Sequence, residues 1–275
     1  MPSVRLSVLC VMLNLCAFCH DVSGTTPIFS RLHTLSIHVR SHAIHESMLT
    51  LLRDELQLPP TYEPVTIGKR KYAAVQAGNL ALEPCGPYPE HNYLHTDFEA
   101  MFYGLTFEPF DSAISSARDL DKRGILHGKP TENMSITDKD LCAPNVYVGF
   151  WKKANPEEIQ ARAAALEAKQ GGPLGVIRVD EIQVGYSDDK NLKKWIDFIK
   201  PAECVEENVY RIRDSLVLRF RKNDKKQVLG ITLKVRSLDR AITYLKQRNL
   251  LGRMRDREVE IDAKRTHGLR IAIRE

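Results

Sequence analysis

Apolar and polar residues alternate from Leu32 to Arg40, with the two-residue period of a half-buried strand. The apolar positions are Leu35, Ile37 and Val39, and the polar positions are Thr34, Ser36 and His38. After Ser41 the apolar residues fall at helical spacing until Pro59-Pro60, which predicts a helix that Ser41 caps. Short extended segments follow up to Glu83. The pattern predicts one strand–helix–strands unit.

The same pattern returns three times farther along the chain. Its later strands are predicted over Met101–Phe107, Ile177–Tyr186 and Val228–Val235, and a helical pattern follows each of them. Residues 130–144 are polar and predict a loop, whereas residues 156–170 favour a helix that ends at Gly171-Gly172-Pro173. A unit that recurs about four times at roughly 50 to 75 residues indicates a repeat architecture.

The first residues have the layout of a secretory signal peptide. Arg5 provides a positive charge, an apolar run from Leu6 to Phe18 follows, and small residues stand at Ser23 and Gly24. The run is about a dozen residues long, short of the ~20 that a spanning helix needs. We expect residues 1–24 to be a signal peptide and the mature protein to be secreted or periplasmic, without a stable membrane span. An uncleaved interfacial anchor is the alternative.

Charge and cysteine content exclude several classes of protein. The net charge is +5, but acidic residues interrupt the basic ones, as in Arg255-Asp256-Arg257-Glu258, so no basic stripe for nucleic acid is expected. Beyond the signal segment only Cys85, Cys142 and Cys204 remain, and none forms a CxxC pair. A disulfide framework or a thiolate zinc site is therefore not predicted, although the three cysteines still allow a single disulfide bond.

Four segments share one sequence motif, an alternating strand followed by a polar turn and a helix. They are Thr34-Leu-Ser-Ile-His-Val-Arg-Ser41, Gly104-Leu-Thr-Phe-Glu-Pro-Phe-Asp111, Glu181-Ile-Gln-Val-Gly-Tyr-Ser-Asp188 and Gly230-Ile-Thr-Leu-Lys-Val-Arg-Ser237. The motif resembles the start of the repeat unit in vicinal oxygen chelate proteins, and Leu80-Ala-Leu-Glu83 resembles the end of that unit. The order of the units resembles the glyoxalase-like branch of that superfamily. A ferredoxin-like or other α+β repeat is the competing interpretation.

The resemblance implies an α+β fold of four βαβββ units that form two paired curved-sheet modules, here called cups. The first pair would occupy residues 25–155 and the second residues 174–275, with a helical linker over residues 156–173. It also implies a divalent metal (Zn, Fe, Mn, Ni or Mg) that binds neighbouring oxygens of a small molecule as a Lewis acid.

Strand parity selects the candidate residues of the first unit. If Leu35 and Ile37 pack under the helix, Thr34, Ser36 and His38 face the cup. We expect Thr34 and Ser36 to bind substrate and His38 to act as a catalytic base. His33 is a candidate metal ligand that would reach the cup only if the register slipped by one residue.

The remaining candidates come from other strands. Glu83 matches the unit-ending glutamate of the family and is predicted to be a metal ligand. Glu181 holds the ligand position of the third unit, with Gln183 beside it as a substrate-binding residue. Whether Glu83 and Glu181 share a cup depends on which units pair. Other expected positions depart from the pattern, since Gly104, Gly230 and Ala272 carry no ligating side chain.

Two functions stay open on these residues. One is a metal-assisted lyase, isomerase or hydrolase that acts on a small oxygenated molecule. The other is a non-catalytic cup that binds or sequesters such a molecule without metal. The polar segment from His91 to Asp97 could cover the mouth of the cup and supply an acid or base.

We predict that a secretion-competent host removes the first 24 residues, because they combine a charged start, a short apolar run and small residues. Intact-mass analysis of the recovered protein checks this, and a new N-terminus close to Gly24 is the expected result. A full-length chain that sediments with membranes would instead support the interfacial anchor.

Overall fold

The computed structural model describes residues 26–88, 99–132, 134–137, 141, 145–149, 156–213, 216–255 and 257–275. The predicted signal peptide, the segment from His91 to Asp97 and Cys142 lie outside these residues. No helix among the described residues has the length and apolar character needed to cross a membrane.

The first half of the chain forms a seven-stranded sheet. Its strands are β1 (Phe29–Val39), β2 (Pro60–Ile67), β3 (Arg70–Ala77), β4 (Leu80–Gly86), β5 (Ala100–Pro109), β6 (Met134–Thr137) and β7 (Asn145–Gly149). Their order across the sheet is β2-β3-β4-β1-β5-β7-β6. Its helices are α1 (His42–Leu49), which continues as a π-helical segment (Thr50–Glu55), and α2 (Ala113–Lys122).

The second half repeats this arrangement in an eight-stranded sheet. Helix α3 (Pro156–Ala168) precedes it in the chain, and its own helices are α4 (Asp189–Ile199) and α5 (Leu238–Gln247). The strands are β8 (Val176–Tyr186), β9 (Glu203–Glu206), β10 (Val209–Arg211), β11 (Val217–Lys222), β12 (Gln227–Val235), β13 (Leu251–Arg255), β14 (Glu258–Ile261) and β15 (Ile271–Arg274). Their order is β13-β14-β15-β12-β8-β11-β10-β9.

The pairing of the opening strands decides which units combine. β1 runs antiparallel to β5, and β8 runs antiparallel to β12, so the first unit pairs with the second and the third with the fourth. Each opening strand also pairs in parallel with the last strand of its own unit. The predicted α+β fold with two paired sheets is confirmed.

Three short edge strands were missed by the sequence pattern. β6 lies inside the segment that was predicted to be a loop, and β9 and β13 were not predicted. The residues of β9 are all exposed, and those of β13 are exposed or half-buried. A strand without a buried face has no alternation of apolar and polar residues, so the pattern could not show it.

The polar turn of the repeated motif is a helix cap. Ser41, Ser112, Asp188 and Ser237 each accept a hydrogen bond from the backbone N–H three residues on, at 3.2, 3.1, 2.8 and 3.3 Å. Such caps satisfy backbone donors that the first helical turn leaves free. In the second unit the cap is Ser112, one residue after Asp111, with which the motif ends.

The two halves share one hydrophobic core. Phe198 on α4 packs against Phe29 and Phe107 of the first sheet, with ring centroids 5.3 and 5.0 Å apart. Trp195 on the same helix donates a 2.8 Å hydrogen bond to the carbonyl of Leu141. The second half thus completes the packing beneath the first sheet.

We predict that Phe198→Ala lowers the free energy of unfolding by about 3–5 kcal/mol, because it leaves a cavity in the shared core. Urea unfolding followed by fluorescence and circular dichroism measures this loss. Phe110→Ala, at a ring that is 49% exposed, is the matched control and should change little. An equal loss in both variants would contradict a shared core at Phe198.

Candidate functional site

The cup face of β1 is set by its pairing with β5. Thr34 lies opposite Thr106 and Ser36 opposite Gly104, while Leu35 pairs with Leu105 in the fully buried layer. Residues directly opposite each other in a sheet point to the same face. Thr34 and Ser36 therefore face the cup, as the alternation predicted.

Glu83 lies beside Ser36 in the parallel pair of β1 and β4. The Ser36 hydroxyl donates to one carboxylate oxygen of Glu83 at 2.9 Å, and the Tyr62 hydroxyl donates to the other at 2.6 Å. Burial raises the pKa of Glu83, and the two hydrogen bonds oppose this shift. A carboxyl group of this kind can exchange a proton more readily near neutral pH than an exposed one.

His38 is held between two tyrosine rings. Its imidazole is stacked on Tyr88 at a centroid distance of 3.7 Å and on Tyr103 at 3.3 Å, with interplanar angles of 7° and 11°. The guanidinium of Arg70 lies 4.3 Å from the centroid of Tyr88. Both faces of the imidazole are covered, so His38 can exchange a proton only through its edge.

A bulge in β5 explains how Tyr103 reaches His38. The register of β1 against β5 shifts between Ser36 opposite Gly104 and Ile37 opposite Phe102, which leaves Tyr103 as an extra residue on β5. In a bulge of this type two residues of one strand oppose a single residue of its neighbour. Tyr103 therefore turns to the cup face beside Gly104.

Further aromatic and thiol groups complete the wall. Cys85 lies opposite both His38 on β1 and Tyr72 on β3, so the three residues share the cup face. The Tyr72 and Tyr88 hydroxyls are 3.3 Å apart. Burial raises the pKa of the Cys85 thiol well above its ordinary value, so this thiol stays protonated at neutral pH.

Sequence reasoning missed these tyrosines. Tyr62, Tyr72 and Tyr103 lie on strands, and Tyr88 lies two residues beyond the end of β4. Tyr72 stands thirteen residues before Cys85 in the β3–β4 hairpin, so hairpin register could have placed it on the cup face. Tyr103 could not be found in this way, because strict alternation takes no account of a bulge.

His33 lies next to the cup-facing Thr34, while Leu35 keeps its place in the buried layer. The pairing shifts between Leu32 opposite Phe107 and Thr34 opposite Thr106, so His33 is the extra residue of a bulge. Its Nδ1 lies 2.6 Å from the Thr34 hydroxyl. The bulge absorbs this extra residue, so Leu35 stays in the buried layer. That His33 is a metal ligand stays a prediction.

The environment of His33 favours its neutral form. Burial lowers its pKa to about 4, the positive charges of Arg31 and Arg162 act in the same direction, and Glu108 opposes them. A neutral imidazole is the form that accepts a proton or binds a metal.

The second cup holds charged pairs at the matching positions. The Glu181 carboxylate lies 3.1 Å from Arg219 and 3.4 Å from Arg274, and it accepts a 3.0 Å hydrogen bond from Gln183. Arg274 also pairs with Asp180 at 2.6 Å. Glu181 and Gln183 are brought together as expected, but their polar groups are engaged by this network.

The register shows where the two cups differ. Glu83 lies opposite Ser36 in the first half, whereas Arg219 lies opposite Gln183 in the second. The carboxylate of one cup is therefore replaced by a guanidinium in the other.

The resemblance to vicinal oxygen chelate proteins implies a metal, but the described residues do not assemble a site for it. They contain no group of three or more His, Cys, Asp or Glu side chains that could hold an ion. Glu83 and Glu181 belong to different sheets and do not share a site. Two arginines adjoin Glu181, where a divalent cation would meet their positive charge. The described residues do not fit a conventional three-ligand metal site.

We predict that His33→Gln reduces the loss of stability on acidification. The pKa of His33 falls from 6.5 in the unfolded chain to about 4 in the folded chain. Between these values the unfolded chain binds a proton that the folded chain does not, so stability falls as the pH is lowered through this window.

Urea unfolding at pH 7 and pH 5 tests this prediction, with His42→Gln on the exposed side of α1 as the matched control. The buried His45, whose pKa is also lowered, is present in both variants. If both variants lose the same stability between the two pH values, His33 does not titrate as described.

Comparison with known proteins supports the fold. No family model and no curated protein matches the chain. Among solved structures, homoprotocatechuate 2,3-dioxygenase from Brevibacterium fuscum, in complex with 3,4-dihydroxyphenylacetate, is similar with a TM-score of 0.59 and 13% identity, over 93% of this chain and 84% of that one. The enzyme of the same name from Arthrobacter globiformis gives 0.58 and 14%, over 92% and 81%. The chain has the fold of these dioxygenases, which agrees with the predicted vicinal oxygen chelate architecture.

Proposed function

We propose that the first cup binds a small organic molecule with neighbouring oxygen atoms, and that the second cup serves as a scaffold. The observation that carries this proposal is the contrast between Glu83 and Arg219. Glu83 presents a carboxyl group among tyrosines, whereas Arg219 at the matching position pairs with Glu181.

The first cup offers both polar and apolar contacts to such a ligand. Glu83 accepts hydrogen bonds from ligand hydroxyls when ionised and donates one when protonated, and its raised pKa makes both forms accessible. Tyr62, Tyr72 and Tyr103 supply aromatic surface, and the Tyr62 hydroxyl already donates to Glu83. A mostly apolar wall with a few polar groups is the usual composition of a small-molecule site.

The solved neighbours support the class of ligand. The Brevibacterium fuscum enzyme was obtained with 3,4-dihydroxyphenylacetate, whose two ring hydroxyls are adjacent. We extend this ligand class, a small molecule with vicinal oxygens, to the first cup of this chain. Membership of the glyoxalase-like branch and export to the periplasm or the exterior are parts of the same proposal.

A metal-assisted lyase, isomerase or hydrolase is the second candidate. The observation that favours it is the bulge at His33, which places a neutral imidazole beside Thr34. Glu83 and His33 would hold the divalent metal, which would polarise a substrate oxygen, and His38 would serve as the base. The described residues supply no third ligand, so this candidate ranks second.

We predict that Glu83→Gln weakens binding of 3,4-dihydroxyphenylacetate or catechol about tenfold or more. This corresponds to the loss of one hydrogen bond to a charged group, roughly 1.5–3 kcal/mol. Isothermal titration calorimetry on the purified chain measures the effect. Glu181→Gln is the matched control, because it makes the same change in the second cup and should leave affinity unaltered.

Elemental analysis of the same proteins, purified without chelators, separates the two candidates. The proposal of a metal-free binder expects no stoichiometric metal and retained binding in the presence of EDTA. About one metal per chain, lost in Glu83→Gln but not in Glu181→Gln, would make the enzyme the better account. Equal affinity of Glu83→Gln and the wild type would reject the first cup as the site.

A further inference from the structure

A hydroxyl, an imidazole and a carboxylate lie in a row where the two halves meet. His267 Nε2 is 2.9 Å from the Ser47 hydroxyl, and His267 Nδ1 is 2.5 Å from a carboxylate oxygen of Glu99. Ser47 lies on α1, Glu99 precedes β5, and His267 lies in the turn between β14 and β15. Residues from three distant parts of the chain thus converge on one imidazole.

The turn holds His267 in an uncommon backbone conformation. Its φ of 53° lies in the left-handed region, which residues other than glycine seldom adopt. Backbone hydrogen bonds of 2.9 Å from Arg265 to Asp262 and 2.8 Å from Gly268 to Ala263 fix the turn. Backbone strain of this kind is often found where a side chain has to be aimed at a functional partner.

We propose that Ser47, His267 and Glu99 form an active site separate from the first cup, and that this site hydrolyses small carboxylic esters. The contacts determine the proton positions that this chemistry needs. Glu99 accepts a hydrogen bond from Nδ1–H and thereby leaves Nε2 free to accept the proton of Ser47. Ser47 and His267 are the catalytic residues, and Glu99 is a positioning residue.

An open cavity adjoins the imidazole and carboxylate end of the row. It has a volume of about 300 Å³ and is lined by Glu99, Ala263, Lys264, His267 and Gly268. Lys264 is one of these lining residues and adds a positive charge to this part of the surface. The serine is carried by α1 on the helix side of the first sheet, so this site is separate from the cup.

The reaction proceeds in two steps that balance. Ser47 Oγ attacks the ester carbonyl while Nε2 of His267 takes the hydroxyl proton. The carbon–oxygen bond to the alcohol breaks, and the alcohol leaves with that proton. Water then attacks the acyl-serine through the same base, which releases the carboxylic acid and restores Ser47.

Another histidine of the chain shows what distinguishes this arrangement. His127 also lies near a carboxylate, at 3.1 Å from Asp121, but its second ring nitrogen contacts the carbonyl of Gly128 rather than a hydroxyl. A bridge that merely joined the halves would need no hydroxyl on the side opposite the carboxylate. The order hydroxyl–imidazole–carboxylate beside a cavity is the arrangement that activates a serine.

The test uses a fluorophosphonate probe and short-chain p-nitrophenyl esters on the full chain. Ser47 displaces fluoride from phosphorus, and the resulting adduct is located by peptide mass spectrometry. We expect one adduct per chain at Ser47, none in Ser47→Ala, and unchanged labelling in Ser115→Ala, which alters a serine of α2. His267→Gln should slow labelling and ester turnover at least roughly 10²-fold, the usual contribution of a general base.

Two further measurements keep the proposal open to rejection. Glu99→Gln should slow labelling more than Glu99→Asp, which keeps a carboxylate, whereas a merely structural role would not rank the two in this way. Thermal unfolding of each variant shows whether it is folded. If folded His267→Gln is labelled as fast as the wild type, or if Ser115 reacts as readily as Ser47, the proposal is wrong.

Discussion

The antiparallel pairing of β1 with β5 is the interaction on which the first cup depends. It joins the opening strands of two units in one sheet, and it carries three register shifts. One of them places His33 beside Thr34, and another places Tyr103 against His38. Without these extra residues the helix-facing layer of Leu35 and Ile37 would be intact, but the cup would lack two of its polar and aromatic groups.

The second half shows the same framework with a different interior. The pairing of β8 with β12 has a bulge at the position of Asp180 that corresponds to His33. Here the extra residue pairs with Arg274, which also approaches Glu181. Isolated ion pairs near a surface contribute little, but removing one partner from a network in a buried setting is costly. This half therefore holds its interior with ion pairs, whereas the matching Ser36 and Glu83 of the first half are joined by a hydrogen bond.

Sequence pattern predicted the framework but only part of the site. Alternation along β1 placed Leu35 and Ile37 under the helix, and the repeated motif predicted the four units. The motif ends on the helix cap in three units, but in the second unit the cap is Ser112 rather than Asp111. Edge strands such as β9 have no buried face and left no signal. The partners of Glu83 were out of reach as well, because Tyr62 comes from a different strand whose register depends on irregular pairing with β3. Likewise, the sequence pattern predicted that the arginines around Glu181 are solvent-exposed charges. The structure places them on β11 and β15, where both approach Glu181.

The stacking of His38 has a consequence for how its imidazole moves. With Tyr88 and Tyr103 against its two faces, the ring cannot turn about its Cβ–Cγ bond unless the tyrosines separate. Exchange of its two nitrogens by ring rotation is therefore coupled to opening of the aromatic stack. A proton can still enter at one nitrogen while another leaves from the second nitrogen, because this needs no rotation. His38 thus transfers protons between two ring positions that stay in place until the stack opens.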